Sequence, residues 1–378
     1  MTTLHLRKSG DRSPLRAFLL IPFVLGCFAL PPHARAVCQE GCLTNQNTVL
    51  GDDALHSNTG FLNTAIGFDA LFSNTTGNAN TAASGANALY SNTTGSNNTA
   101  NGANALYSNT TGFDNTATGE SALYHNTTGF DNTAIGFGAL SSNTTGTFNT
   151  AIGNGALGNN TTGTDNTASG FNALLNNTGD NNTANGFGAL VSNTTGNNNT
   201  ANGFQALFSN TTGVVNTANG ANALYSNTTG TDNTASGFNA LFSNTTGFEN
   251  TATGREALFS NTTGATNTAT GESALFSNTT GSVNTVLGFA AGSNLTTGSN
   301  NIDIGNAGVA AEANTIRIGA QGTQTKAFIA GISGTVLSGG PVRVNANGQL
   351  GTVASSARLS KTSRPWAMPA RCSWRCGR

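Results

Sequence analysis

The chain has 378 residues, of which 49 are glycine, 8% are charged and 7% are aromatic. Soluble globular domains carry about a quarter charged residues and about 7% glycine, so this composition excludes an ordinary enzyme-like domain and points to one architecture lengthened by repetition. The net charge of −1 conceals an asymmetry: Asn47 to Asn300 holds 12 Asp and Glu against one basic residue, Arg255, while the other 14 Lys and Arg lie toward the ends. So acidic a body cannot neutralise phosphates, which excludes nucleic acid as a partner. With the ends set aside, only two His and two Cys remain, too few for most metal sites or acid–base constellations.

The chain opens on an address. Arg7, Lys8, Arg12 and Arg16 precede an apolar run from Ala17 to Leu30, Pro31-Pro32 ends it, and Ala34-Arg35-Ala36 follows. A basic start, a short apolar run and an A-x-A site describe a secretory signal peptide over 1–36, cleaved after Ala36. The same residues admit a membrane anchor, but a span needs roughly 18–20 apolar residues and this run is shorter. They also admit a lipoprotein-type box ending at Cys27, past which the apolar run continues. The expectation is an exported chain, secreted or at the cell surface, without an integral membrane anchor. In an oxidising compartment Cys38 and Cys42 are expected to pair as a local disulfide in an N-terminal cap over 37–46. A zinc site would need two further ligands, and His56 is the only candidate nearby.

From Asn47 a unit N-T-A-x-G-x-x-A-L-x-S-N-T-T-G-x-x recurs fifteen times, at a spacing of 17 residues broken by two intervals of 16 and one of 18. A period this short suits a coil of short strands and turns, since helix-pair repeats need about 33–47 residues. No proline occurs between His33 and Gly340, so every amide can join a ladder. The expected fold is all-β: a parallel β-solenoid or β-roll of about 15 coils over 47–300, then a short β neck over 301–358 and a disordered tail. Ala at the third position and Leu at the ninth fit a narrow interior. The two recurrent asparagines, such as Asn63 and Asn74, are expected to stack into amide ladders. Asn-Thr-Thr also matches the glycosylation acceptor pattern in almost every unit, a match the repeat supplies automatically. Aromatic residues follow Leu in most units (Phe72, Tyr90, Tyr107, Phe208, Tyr225) and would stack at about 4.8 Å along the axis. A lone rod would expose that stripe; three rods around one axis would cover it. The Ala-Leu-aromatic segment is compatible with a second strand or with one helical turn.

Asn-Thr-Ala-Ile-Gly at Asn63–Gly67, Asn132–Gly136 and Asn149–Gly153 resembles the N-S-V-A-I-G core of the head repeats of YadA-like trimeric adhesins. The resemblance covers about Asn47–Asn301 and implies a trimeric β-roll displayed outside the cell, binding host or matrix surfaces. The chain departs from that family in its longer period and in lacking a C-terminal run of alternating strands for a membrane barrel.

Beyond Asn300, Asn301–Gly305, Asn314–Gly319, Phe328–Ile332 and Val342–Asn345 are strand candidates between glycine-rich turns. Asn345–Arg358 resembles the start of an endosialidase-type intramolecular chaperone, a family that trimerises its chain and then cleaves itself off with a Ser nucleophile and a Lys base. Ser355 and Arg358 match its motif. Leu359 and Ser360 do not, and Lys361 stands one place late, so self-cleavage is expected to fail. The tail over 359–378 turns abruptly basic and contains Trp366, Trp374, Cys372 and Cys376. A frameshift accounts for that switch, since a shifted reading of compatible codons looks like a chaperone start. The competing reading is a genuine basic tail that binds an acidic surface. Cys372 and Cys376 lack third and fourth ligands for zinc.

These features predict a non-enzymatic structural or adhesive rod, homotrimeric, with a host or matrix protein or a glycan as ligand and no cofactor or metal. The alternatives are an ice-binding solenoid, which Thr116/Thr118, Thr251/Thr253 and Thr268/Thr270 suit, and a passive spacer or tail-fibre-like remnant. Asp114 with Asp131, and Asp232 with Glu249, are the best placed carboxylates for an enzyme. They fall in turns with no second catalytic group recurring beside them.

Overall fold

Each repeat contributes one strand of three residues, and each strand pairs only with the strands before and after it in sequence. The computed structural model describes residues 45–329, 342–346 and 348–352, and the chain divides into two units between Ile318 and Gly319. In the first unit seventeen strands, β1 (Thr48–Leu50) through β17 (Ile316–Ile318), form one parallel sheet. Equivalent residues lie opposite one another. Thr200, Ala201 and Asn202 of β10 (Thr200–Asn202) face Thr217, Ala218 and Asn219 of β11 (Thr217–Asn219). The parallel β-solenoid expected from the period is therefore the fold. Sixteen steps of about 4.8 Å make the ladder roughly 75 Å long.

Counting each unit from its first asparagine, Asn63, Thr64, Ala65 and Gly67 occupy positions 1, 2, 3 and 5. The interior is lined by Ala at positions 3 and 8 and Leu at position 9, for example Ala201, Ala206 and Leu207, all without solvent exposure. Both asparagines, at positions 1 and 12, are equally buried. Buried amides are costly unless fully bonded, and here the stacking bonds them. Asn210 Nδ2 donates to Asn193 Oδ1 of the preceding coil at 2.7 Å and to Gly213 O of its own coil at 3.0 Å. Asn216 Nδ2 donates to Asn199 Oδ1 at 3.1 Å and to Gly230 O at 2.8 Å. Gly230 O also accepts from Asn227 Nδ2 at 3.0 Å, so one carbonyl per coil ties the two predicted ladders together.

The Ala-Leu segment is neither of the two shapes compatible with the sequence. Positions 7 and 9 are both left-handed, as at Gln205 (φ 52°) and Leu207 (φ 52°), and so is position 17, as at Val215 (φ 57°). Alternation of handedness curls the chain without helix or strand. It also points successive N–H groups up and down the axis: Gln205 N–H donates to Phe187 O of the preceding coil at 2.9 Å and Leu207 N–H to Ala223 O of the next at 2.9 Å. A left-handed leucine costs about 1–2 kcal/mol. Full burial of the side chain returns about 1.5–3 kcal/mol, so burial wins. At the next corner Thr211 N–H, Thr212 N–H, Gly213 N–H and Thr211 Oγ1 all donate to Thr228 O of the following coil.

Glycine at position 5 answers a close approach. A Cβ on Gly220, at φ 139°, would sit 2.5 Å from Gly237 O of the next coil. The one 18-residue unit absorbs its extra residue just before this glycine, where Ser84 is left-handed (φ 58°). There β2 (Thr64–Ile66) and β3 (Thr81–Ala83) pair at only two positions, the mark of a bulge. The 16-residue units instead lose one threonine at the corner, leaving Thr59 and Thr178 single.

The column contents change at the C-terminal end. In the unit starting at Asn284, Val286 replaces the position-3 alanine, Gly292 the position-9 leucine and Leu295 the position-12 asparagine. Leu295 is fully buried; a Cβ on Gly292 would meet Leu275 Cδ2 at 3.0 Å and Leu295 Cδ1 at 3.4 Å. The apolar volume has moved across the coil. Two further strands, β16 (Ile302–Ile304) and β17, extend the ladder in register, with Asp303 opposite Arg317. Coil pairing thus runs on through Asn301–Gly305 and up to Ile318, within the segment expected as a neck. In the second unit, β18 (Val342–Val344) pairs antiparallel with β19 (Leu350–Thr352). Phe328 and Ile329, the described part of another strand candidate, lie outside any strand.

Candidate functional site

Stacking turns each outward position into a column, so the candidate sites are surfaces rather than clefts. Acidic residues gather at positions 7 and 17, including Asp53, Asp69, Asp114, Asp131, Asp165, Asp232 and Glu249, and every one of these is left-handed. Asp and Asn tolerate that conformation better than other side chains, so backbone shape accounts for their placement. Burial, and then the charge of Asp53 beside it, raises the Asp69 carboxyl above its ordinary value. At position 6 the exposed Arg255 pairs with Glu272 of the next coil at 3.1 Å, a surface contact worth little. Among the described residues no three His, Cys, Asp or Glu side chains gather in a metal-binding group.

The aromatic column at position 10 is present in two runs. His56, Phe72, Tyr90, Tyr107 and Tyr124 stack at 5.1–5.2 Å, and Phe208, Tyr225, Phe242, Phe259 and Phe276 at 5.1–5.3 Å. Ser141, Gly158, Leu175 and Val191 separate them. His56, the zinc-ligand candidate, is the first member of this stack. Ring planes within the runs lie nearly parallel, so the rings cover one another's faces and half-buried edges point outward. A stripe of edges contributes apolar area but offers no ring face on which a sugar could lie.

A second surface is the outer face of the strands. Positions 2 and 4 flank the buried alanine and both point outward. Position 2 is threonine in every strand from Thr48 of β1 to Thr285 of β15 (Thr285–Leu287). Over β8 (Thr167–Ser169) to β14 (Thr268–Thr270), position 4 is Ser169, Asn185, Asn202, Asn219, Ser236, Thr253 and Thr270, small and polar throughout. Among the described residues the position-2 hydroxyls have no hydrogen-bond partner. Position 13 behaves oppositely: Thr194 Oγ1 donates to Thr211 O at 3.0 Å. The exposed amides are ordered, since Asn185 Nδ2 donates to Asn202 Oδ1 and Asn202 Nδ2 to Asn219 Oδ1, each at 2.9 Å. Sequence reading counted T-x-T pairs and so missed this face, which uses Asn and Ser for the second column.

The third place is the end of the ladder. Asp303 is fully buried and neither carboxylate oxygen has a hydrogen-bond partner. Burial first, and then the nearby Glu312, push its carboxyl up to about 6, with Arg317 acting the other way. Arg317 clamps Glu312 through its Nε and Nη2, at 2.7–3.0 Å, and that hydrogen bonding holds the Glu312 carboxyl below its ordinary value.

Several residues singled out in the sequence lie outside the described residues: Ala36 at the cleavage site, the Cys38 and Cys42 pair, and the Ser355, Arg358 and Lys361 motif. Among the described residues no helix is long and apolar enough to cross a membrane. A scan against known family models and a search of curated proteins found no match to this chain.

Proposed function

We propose that this protein is a non-enzymatic, exported structural rod that acts as an adhesive or spacer element at or beyond the cell surface and assembles as a homotrimer. The observation that carries the reading is the ladder of successive coils from β1 to β17, which stacks each outward position into a column and repeats threonine at position 2 through β15. A surface of that kind binds by multiplying weak contacts. The two aromatic runs support assembly, because a stripe of half-buried ring edges this long gains from a cover. The basic and apolar N-terminal sequence supports export, and the resemblance of Asn63–Gly67 and its equivalents to YadA-like head repeats supports adhesion.

Two measurements test the reading. Sedimentation equilibrium of the full chain is expected to give three times the monomer mass; a monomer at micromolar concentration removes the trimer. Solid-phase binding to matrix proteins and glycans is expected to exceed that of an unrelated solenoid of equal length. Binding no greater than that control leaves a spacer without adhesive function.

A further inference from the structure

The strand face over β8–β14 joins four properties that occur together nowhere else among the described residues. It is in register over seven levels, its positions 2 and 4 carry no charge, its position-2 threonine hydroxyls have no partner among the described residues, and its asparagines are already tied to one another. We propose that this face binds ice, holding crystalline water through the two columns of hydroxyls and amides.

The argument is one of matching periods. The columns repeat at about 4.8 Å along the axis and stand about 6.6 Å apart across it. A dissolved small ligand could engage only one or two levels, each worth little. A partner periodic in the same direction engages all seven at once, and weak contacts then sum. The threonine methyls beside each hydroxyl add apolar contact. The amide chain Asn185–Asn202–Asn219 and the strand ladder beneath it hold the array rigid in advance, which removes ordering cost from binding.

Other periodic partners fit less well. A charged polymer or mineral would find no complementary charge at positions 2 and 4. A crystalline polysaccharide is held through a row of ring faces; the flanking Phe171, Phe187 and Phe204 stack on each other at 5.2 and 5.4 Å, which leaves the exposed Phe238 as a single unstacked ring rather than a row. A second copy of the chain would bring apolar area, which the position-10 stripe offers and this face does not. Exposed Ile135 and Ile152 at position 4 in β6 (Thr133–Ile135) and β7 (Thr150–Ile152) end the polar array on its N-terminal side.

The test is thermal hysteresis and ice recrystallisation of the full chain, with far-UV circular dichroism melts as a folding control. The unaltered protein is expected to open a gap between melting and freezing that widens with concentration. Thr200→Lys with Thr217→Lys should lose most of that gap, while Thr212→Lys with Thr229→Lys, exposed at position 14 off the face, should keep it. Should the face pair melt early, Thr200→Val with Thr217→Val removes the hydroxyls while keeping the shape, and is expected to narrow the gap. No hysteresis and no slowing of recrystallisation in the unaltered chain overturns the proposal, as does equal loss in both lysine pairs. Retention on microcrystalline cellulose without hysteresis assigns the face to a polysaccharide instead. A change in sedimenting mass confined to the face variants assigns it to a second copy.

Discussion

Asn160 Oδ1 is a buried acceptor without a donor, because Asn177, its counterpart one coil on, turns its Nδ2 to Gly179 O at 2.7 Å instead. Every regular coil donates backwards along the ladder at this position, as Asn193 does to Asn177 at 2.6 Å. The coil of Asn177 fails because its corner has one threonine rather than two, which shortens the path from Asn177 to Gly179. A single missing residue therefore interrupts an otherwise continuous line of amides. The same line ends for good at Asn278, whose Oδ1 is also unpartnered where Leu295 takes the asparagine's place.

Inserting a threonine between Thr178 and Gly179 should mend the line. An unsatisfied buried acceptor costs about 1–3 kcal/mol, so the repaired chain is expected to melt at higher temperature by a corresponding amount. Hydrogen exchange should slow in the coils on both sides of Asn160. An unchanged or lowered midpoint would show that the shorter corner carries no penalty.

Two glycine substitutions should compare backbone conformation alone with conformation and close approach together. Gly138 at position 7 has φ 62° and open space where a Cβ would stand, so Gly138→Ala should cost about 1–2 kcal/mol from conformation alone. In Gly220→Ala the new Cβ meets the carbonyl of Gly237, which neighbouring coils hold in place. That variant should lose more than about 3 kcal/mol and yield little folded protein. Equal losses in urea melts would sink the distinction.

Asp303→Ala should change how stability depends on pH. The Asp303 carboxyl takes up a proton more readily folded, at about 6, than in the unfolded chain. Its contribution is therefore fully present below about pH 4 and is lost as pH rises through about 6. Glu312 titrates below its ordinary value and the raised Asp69 carboxyl is common to both chains, so the difference between their profiles in that window reports Asp303. The alanine variant is expected to flatten that window and to be more stable than the parent at pH 8, by about 1–3 kcal/mol. A parallel pH profile for the two chains would refute this.

The acceptor sequences at position 12 should stay unmodified in folded protein. Asn210 Nδ2 lies inside the coil and donates twice, leaving nothing for a glycan to attach to. Asn97 and Asn198, also followed by Asn-Thr, are exposed at position 17. In a glycosylating host, peptide mass spectrometry of folded material should find occupancy confined to the exposed acceptors Asn97, Asn159, Asn176, Asn181, Asn198 and Asn294. Sugar on Asn210 in correctly melting protein would contradict the buried ladder.

Much of the coil was legible because the repeat states it fifteen times. The absence of proline, the alanine at position 3 and the leucine at position 9 marked strand and interior, and the recurrent asparagines marked amide ladders. The left-handed positions were half legible. Asp, Asn and Gly crowd positions 7 and 17 for that reason, yet they read first as turn acids. Position 9 gave no sign, because leucine is a poor choice for positive φ and only its burial explains it. The candidate face does not show as a run of threonine pairs, because Asn202 and Ser236 serve the same column as Thr253.

By itself the sequence determined the period, the parallel order of the coils and the small interior, since a seventeen-residue repeat lacking proline has few other ways to bury its alanines and leucines. Only the tertiary structure decided which threonine hydroxyls are spent and which are free, how the chain turns at Leu207 and its equivalents, and where the amide lines stop. Those outcomes depend on what the neighbouring coil places opposite each group. The carbonyl of Thr211 uses up the hydroxyl of Thr194, whereas nothing stands opposite the hydroxyl of Thr200, and residue type alone does not distinguish the two.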